Sequence, residues 1–174
     1  AGNNTIDRKT VRVARILGEV ETICLPIIPE NIALRILAED NLPCVLADPL
    51  SLQQALTNLV FNSVEALQDS AGTVCVRVET LREEKLKIEV EDDGCGMDEA
   101  TQKRAFDPYF STKSGSRGFG LSSVLGFAKS HGGDLRIVSE PGRGTRVQII
   151  LPASQPSGDA FSTEPSFQFA GKTL

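Results

Sequence analysis

The 174-residue sequence has one histidine and four cysteines, and the cysteines lie far apart with no Cys-x-x-Cys spacing. Zinc sites and thiol redox motifs need closely spaced ligands, so both are excluded and the thiols are expected to be reduced. No apolar run approaches the roughly 20 residues of a membrane helix, and no signal peptide is recognisable. We therefore expect a cytoplasmic segment, which leaves open a membrane anchor elsewhere in a longer parent protein.

The sequence also has fewer basic residues than acidic residues. Eighteen Lys and Arg residues stand against 23 Asp and Glu residues, which gives a net charge of −5. This balance argues against binding to nucleic acid or to an anionic membrane surface. Apolar residues make up 40% of the chain, enough for the core of one domain of ordinary size. We expect one globular domain with no direct nucleic-acid or membrane contact.

The periodicity of apolar residues predicts an order of strands and helices. Strands are predicted at 10–13, 32–38, 73–81, 85–91, 135–139 and 145–151, with a short apolar run at 43–47. Helices are predicted at 14–25, 49–68, 98–105 and 121–130. This mixture lacks regular βαβ alternation, so it favours an α+β fold. We expect a two-layer sandwich in which helices cover one face of a mixed sheet.

Polar side chains share one face of the predicted helix 49–68. Asn58, Asn62 and Glu65 are spaced four and three residues apart, opposite a stripe made of Leu52, Leu56, Leu59, Ser63 and Leu67. Buried amides without partners cost about 1–3 kcal/mol each, and phosphate oxygens with a magnesium ion would be suitable partners. The alternative is an amphipathic helix with a solvated polar face.

An Asp-Gly-Cys-Gly stretch follows the predicted strand 85–91. Its glycines allow the backbone to approach a planar base, and the Asp93 carboxylate can accept a hydrogen bond from the exocyclic amine of adenine. A surface β-turn is the simpler alternative. A calcium loop is excluded, because with Gly94 as its sixth residue the first and twelfth positions are Glu89 and Ala100.

A second glycine pair, Gly118 and Gly120, precedes the predicted helix 121–130. Backbone N–H groups at such a helix start can bind phosphate oxygens. The pair belongs to neither a P-loop nor a Rossmann fingerprint, since Ser123 occupies the place of the third glycine and no Gly-x-x-x-x-Gly-Lys-Ser/Thr occurs. Upstream of it lies an apolar cluster followed by a polar loop at 111–117. The cluster consists of Phe106, Pro108, Tyr109 and Phe110.

Taken together and in this order, four stretches resemble the N, G1, F and G2 boxes of the GHKL ATPases. They are residues 58–65, 92–97, 106–113 and 118–121. Over roughly residues 10–152 the chain is most similar to the catalytic, ATP-binding domain of bacterial sensor histidine kinases. The resemblance implies a Bergerat fold, with 1–9 as a linker from an upstream dimerisation hairpin and 153–174 as a tail or interdomain linker.

The resemblance also implies roles for single residues. Asn62 would coordinate magnesium, while Asn58 and Lys113 would lie near the γ-phosphate as catalytic residues. Asp93 would bind adenine with the support of Thr145. The other nucleotide-binding candidates are Glu65, Gly96, Met97, Phe110, Arg117, Gly118, Gly120 and Leu121. One departure lies in the lid, where Ser116 replaces a glycine that is usual in the family.

The implied function is to bind Mg-ATP and to transfer its γ-phosphoryl group to a histidine on a phosphoacceptor domain that this sequence does not contain. Related hydrolases place a water-activating glutamate at position 58, and Asn58 cannot accept that proton. His131 is expected to cap a helix before Gly132 and Gly133 instead of accepting phosphate, because no acidic residue adjoins it.

The implied partners are the phosphoacceptor hairpin of a homodimeric parent kinase and a downstream response-regulator receiver domain. The isolated domain should be a monomer that binds ATP without phosphorylating itself. Two other readings stay open. One is a GHKL ATPase or a serine-directed protein kinase of the anti-sigma-factor or mitochondrial type. The other is a degenerate interaction module that has lost nucleotide binding.

Overall fold

Seven strands and four helices make up the part of the chain that this computed structural model describes, residues 7–67, 70–82, 84–108 and 120–154. In chain order they are β1 (Lys9–Arg12), α1 (Val13–Cys24), β2 (Ile32–Ala38), β3 (Cys44–Ala47), α2 (Pro49–Ala66), β4 (Gly72–Leu81), β5 (Lys85–Asp92), α3 (Glu99–Arg104), α4 (Gly120–Ser130), β6 (Asp134–Glu140) and β7 (Gly144–Ser154). The predicted loop 111–117 and most of the predicted linker and tail lie outside the described residues.

The strands form one mixed sheet in the order β1-β3-β7-β5-β4-β2, and β6 also pairs with β7. Among the described strands, β2 and β4 run parallel and the other pairs are antiparallel. Strand β7 pairs with β5 along one side, and along its other side it pairs first with β6 and then with β3. The predicted mixed, mostly antiparallel sheet is therefore confirmed.

The core lies between one face of the sheet and helices α1, α2 and α4. Helix α2 begins as predicted, with Asp48 as N-cap accepting a hydrogen bond from the Ser51 N–H (2.8 Å) and Pro49 in its first turn. The predicted packing stripe of α2 and its C-cap is buried, namely Leu52, Leu56, Leu59, Ser63 and Leu67. Opposite it lie alternate residues of β4 and β5, namely Val74, Val76, Val78, Leu86, Ile88 and Val90. Burial of each of these aliphatic side chains stabilises the folded state by about 1.5–3 kcal/mol.

The other face of the sheet carries a ladder of ion pairs centred on Glu89, which is buried. Its carboxylate contacts Arg77 at 2.8 Å, Arg146 at 3.6 Å and Lys87 at 3.7 Å, and it accepts a hydrogen bond from Gln148 at 2.7 Å. Burial alone would raise the pKa of Glu89. The hydrogen bond from Gln148 and the three positive charges outweigh burial and hold this pKa below its usual value. The buried Glu89 carboxylate is thus paired with positively charged side chains.

Strand β7 is longer than predicted. The pattern ended the strand at 151, because the chain from Pro152 onward is rich in Ser, Pro and Gly and has no periodicity. In the structure β7 continues through Pro152 to Ser154, so it extends two residues into the segment predicted as tail. The reason is a change of neighbour: Ala153 and Ser154 pair with Val45 and Cys44 of β3 beyond the end of β6.

His131 caps the carboxyl end of α4, as predicted, and is buried. Its Nδ1 lies 2.8 Å from the Phe127 carbonyl oxygen, and its Nε2 accepts a hydrogen bond from the Asp48 N–H at 3.1 Å. These partners assign the proton of a neutral imidazole to Nδ1. The side chain therefore ties the end of α4 to the start of α2. None of the described helices is both long and apolar enough to cross a lipid bilayer.

Replacing this imidazole should destabilise the domain. We expect His131→Ala to lower the free energy of unfolding by about 1–3 kcal/mol, because it removes a buried side chain and leaves the part-buried Asp48 N–H without its acceptor. Denaturant unfolding measures the change. The control is Ser130→Ala, which removes a neighbouring hydroxyl and should change stability less. Equal stability of His131→Ala and the native protein would contradict the predicted tie.

Candidate functional site

Two asparagines of α2 face the amino end of α4. Asn58 and Asn62 are half-buried, and the Asn58 side-chain amide donates to Ser123 Oγ at 3.4 Å. Ser123 belongs to the first turn of α4, and its hydroxyl donates back to the Gly120 carbonyl. The first N–H groups of a helix have no partner within the helix, and they carry its positive dipole end. The arrangement thus places amide side chains beside a potential anion-binding position.

Gly120 permits this close packing. A Cβ atom at position 120 would lie 2.6 Å from the Asn62 side-chain nitrogen and 3.0 Å from its oxygen. Any other residue there would push the Asn62 amide away from α4. The structure thus brings together Asn62 and Gly120, two of the predicted nucleotide-binding residues, with α2 and α4 in direct contact along this face.

A carboxylate forms the next part of the site, and it belongs to Asp92. In β5 the residues Leu86, Ile88 and Val90 point into the core, and Asp92 continues this alternation at the strand end. Only 6% of Asp92 is exposed. Because Asp92 follows the phase of the core residues, its side chain lies beneath α2, on the same side of the sheet as the asparagines.

Three groups hold the Asp92 carboxylate. The Gly94 N–H donates to it at 3.0 Å and the Thr145 N–H at 3.3 Å, and the Ser63 hydroxyl forms a third hydrogen bond. Burial raises the pKa of Asp92, and these three hydrogen bonds only partly offset the rise. Ser63 directly follows Asn62 in α2. The Asp92 carboxylate therefore contacts α2 one residue after Asn62, whose amide faces α4.

Asp93, the predicted adenine ligand, lies on the other side of the strand end. Its side chain is exposed, and one of its oxygens accepts a hydrogen bond from the Thr73 N–H at 2.7 Å. Thr145, predicted to support Asp93, donates its N–H to Asp92 instead. The sequence prediction named Asp93 and did not single out Asp92. The available signal was the period of two in β5, which gives Asp92 the inward phase and Asp93 the outward phase.

The loop after β5 is pinned at both of its sides. The Cys95 N–H donates to the Ala66 carbonyl at the end of α2 (3.0 Å), and the Gly142 N–H donates to the Cys95 carbonyl (2.7 Å). Farther along, the Met97 N–H donates to Ser139 Oγ (2.8 Å). The protein's own hydrogen bonds therefore fix the loop between α2 and the β6–β7 turn.

Gly96 completes this loop with a backbone that other residues disfavour. Its φ is +66°, and a Cβ atom would lie 1.9 Å from the Glu140 carbonyl oxygen. The loop backbone consequently packs directly on β6, and Met97 beside it is half-buried.

The other predicted site residues divide into two groups. Leu121 is half-buried and packs on the core, whereas Glu65 is exposed near the end of α2. The remaining candidates lie outside the described residues, namely Phe110, Lys113, Arg117 and Gly118. In the described ranges no group of three or more His, Cys, Asp or Glu side chains could hold a metal ion.

Comparison with known proteins agrees with this geometry. Residues 47–155 match the family described as histidine kinase-, DNA gyrase B- and HSP90-like ATPases. The chain is 35% identical over 121 residues to the signal transduction histidine-protein kinase AtoS of Escherichia coli K12, a match that covers 70% of this chain and 20% of AtoS. The chain thus spans about a fifth of that relative.

Solved structures share the fold. Full-length ShkA in complex with AMPPNP superimposes with a TM-score of 0.78 at 23% identity, over 91% of this chain and 34% of ShkA. The histidine kinase ThkA in complex with the response regulator TrrA gives a TM-score of 0.72 at 22% identity, over 86% of this chain and 42% of ThkA. The chain belongs to the family of histidine kinase-, DNA gyrase B- and HSP90-like ATPases. The resemblance to the catalytic domain of sensor histidine kinases is confirmed.

Two alanine substitutions in α4 test the site geometry. We expect Gly120→Ala to displace the Asn62 amide and to weaken adenine-nucleotide binding at least tenfold, the equivalent of about 1.4 kcal/mol. Gly126→Ala is the matched control, since a Cβ atom there meets nothing within 4 Å and should stabilise the helix by about 0.4–1 kcal/mol. Isothermal titration with ADP and magnesium measures the affinity of both variants, and thermal unfolding measures their stability. Native affinity in Gly120→Ala would contradict the contact.

Proposed function

We propose that this domain binds Mg-ATP on the face formed by α2, the start of α4 and the 94–97 loop, and that it transfers the γ-phosphoryl group to a histidine of its parent kinase. The observation that carries the proposal is the junction at α2, where Asn62 meets the α4 amino end and Ser63 meets the buried Asp92. The proposed phosphate-binding and adenine-binding positions are thereby adjacent. Membership of the ATPase family, and the AMPPNP bound by ShkA, an ATP analogue, support the same ligand.

For the adenine end we propose Asp92 as the recognition carboxylate. Its backbone and hydroxyl donors fix the carboxylate, and its burial limits competition from water. A carboxylate oxygen held in this way can accept a hydrogen bond from the exocyclic amine of adenine, which guanine lacks at the matching position. Asp93 is less suited because its exposed side chain already binds the Thr73 N–H.

For the phosphate end we propose the amino end of α4 with Asn58 and Asn62. The Asn62 amide oxygen is the hard ligand type that magnesium prefers, and waters and phosphate oxygens would supply the other ligands of the ion. A magnesium ion bound there would neutralise phosphate charge. The involvement of Lys113, Arg117 and Gly118 remains part of the proposal and rests on the family resemblance.

In the proposed mechanism the domain positions the nucleotide for phosphoryl transfer and takes little part in proton transfer itself. Asp92 and the 94–97 loop would fix the base, while Asn62 and the α4 N–H groups would hold the phosphates in line. Asn58 lies where a hydrolase has its catalytic glutamate, and an amide cannot accept a proton from water. The γ-phosphoryl group is therefore protected from hydrolysis and available to an incoming imidazole.

The proposed partners follow from the family. The phosphoacceptor is a histidine outside this chain, because His131 is buried with both ring nitrogens bonded. A receiver domain would take the phosphoryl group next, as the complex of ThkA with the response regulator TrrA suggests. We place the domain in the cytoplasm, as a monomer in isolation and within a homodimeric parent.

Nucleotide titration tests the ligand and the carboxylate together. We expect the native domain to bind ADP with magnesium and Asp92→Asn to bind at least tenfold more weakly, since a hydrogen bond to a charged group contributes about 1.5–3 kcal/mol. Because burial raises the pKa of Asp92, removing its charge should not lower the unfolding temperature. Asp93→Asn is the matched control and should stay near native affinity. The reverse order would return adenine recognition to Asp93.

A phosphotransfer assay tests the activity. We expect the domain, given γ-labelled ATP and a histidine-containing phosphoacceptor hairpin in trans, to produce an acid-labile and base-stable phosphoprotein, and to remain unlabelled alone. Asn62→Ala should abolish the label. An acid-stable product would instead identify a serine-directed kinase, and the absence of nucleotide binding would identify an interaction module.

A further inference from the structure

Helix α3 is attached to the domain in an unusual way. None of its residues, Glu99–Arg104, is buried, so packing of the helix itself contributes little to its position. Its start is fixed by Asp98, which accepts a hydrogen bond from the Thr101 N–H at 2.7 Å. The helix follows the 94–97 loop directly and leads toward residues 109–119, where the predicted phosphate ligands Lys113 and Arg117 lie in the sequence. What holds α3 therefore also affects the position of the 94–97 loop.

One side chain of α3 reaches the adenine side of the site. The Gln102 amide nitrogen donates to the Met97 carbonyl at 3.1 Å and to the Ser139 carbonyl at 2.8 Å. A glutamine amide has two N–H donors, and this geometry uses both of them. Gln102 thereby clamps the 94–97 loop to β6.

A continuous set of hydrogen bonds leads from this clamp to Asp92. Ser139 is buried, and its Oγ lies 2.8 Å from the Met97 N, 3.0 Å from the Gly144 carbonyl and 2.8 Å from Thr145 Oγ1. The Thr145 N–H then donates to the Asp92 carboxylate. Displacing the Met97 and Ser139 backbones would consequently displace a donor on which Asp92 depends.

We propose that Gln102 is a positioning residue for adenine recognition. Its amide fixes the relative position of Met97 and β6, and through Ser139 and Thr145 it orients the Asp92 carboxylate. The proposal rests on the proposed nucleotide-binding function and adds to it a residue on α3 that touches no ligand.

The experiment compares two substitutions of equal size in α3. Gln102→Met keeps the length of the side chain and removes both donors, whereas Lys103→Met removes an exposed charge that pairs with Glu99. We expect about tenfold weaker ADP binding for Gln102→Met, and native affinity for Lys103→Met. Thermal unfolding of each variant shows whether the loss of affinity exceeds the loss of folded protein.

A pH series with Gln102→Glu separates positioning from general destabilisation. At neutral pH the new carboxylate would face two carbonyl oxygens, so ADP should bind more weakly than to Gln102→Met. As the pH falls, protonation restores one O–H donor, and the affinity relative to the native domain should recover at least threefold. The nearby carboxylates Asp98, Glu99 and Glu140 are present in both proteins, so the ratio reports the change at position 102.

The outcomes distinguish this proposal from the function on which it rests. If the native domain binds no adenine nucleotide, both are overturned. If the native domain binds ADP and Gln102→Met matches Lys103→Met, the positioning role alone is overturned. A pH-independent affinity ratio for Gln102→Glu would also overturn it, even where Gln102→Met folds poorly.

Discussion

The candidate site is organised around one buried carboxylate and the donors that hold it. Asp92 joins three parts of the fold, because its hydrogen bonds come from Ser63 of α2, Gly94 of the following loop and Thr145 of β7. Burial raises its pKa, so this charge opposes folding at neutral pH while making the oxygen a strong acceptor. Such a cost is typical of binding sites, where local stability is exchanged for recognition.

Local patterns in the sequence were sufficient for most of the fold. Capping by Asp48 and Pro49 fixed the start of α2, and its leucine stripe identified the buried face, because both signals act within a few residues. Non-local pairing explains what the patterns missed. The extension of β7 past Pro152 depends on β3, which lies more than a hundred residues earlier. His131 likewise finds its hydrogen-bond partner Asp48 at a distance of 83 residues along the chain.

The candidate site shows the same division. The spacing of Asn58 and Asn62 placed both amides on one helix face, and the structure brings that face to Gly120. The choice between Asp92 and Asp93 needed the phase of β5 relative to the core, a single-residue distinction that reverses the direction of the side chain. Gln102 carried no sequence signal, since its acceptors are backbone carbonyls that any residue supplies.

The imidazole of His131 has a consequence for the orientation of α4. It anchors the carboxyl end of the helix to the Asp48 backbone, at the N-cap of α2, whereas the amino end rests on Asn62 of α2 through Gly120. Between these two attachments Val124, Phe127 and Ala128 are buried in the core. Contacts with α2 and its N-cap therefore locate both ends of α4, so the direction of its first turn is set by the packing of the domain.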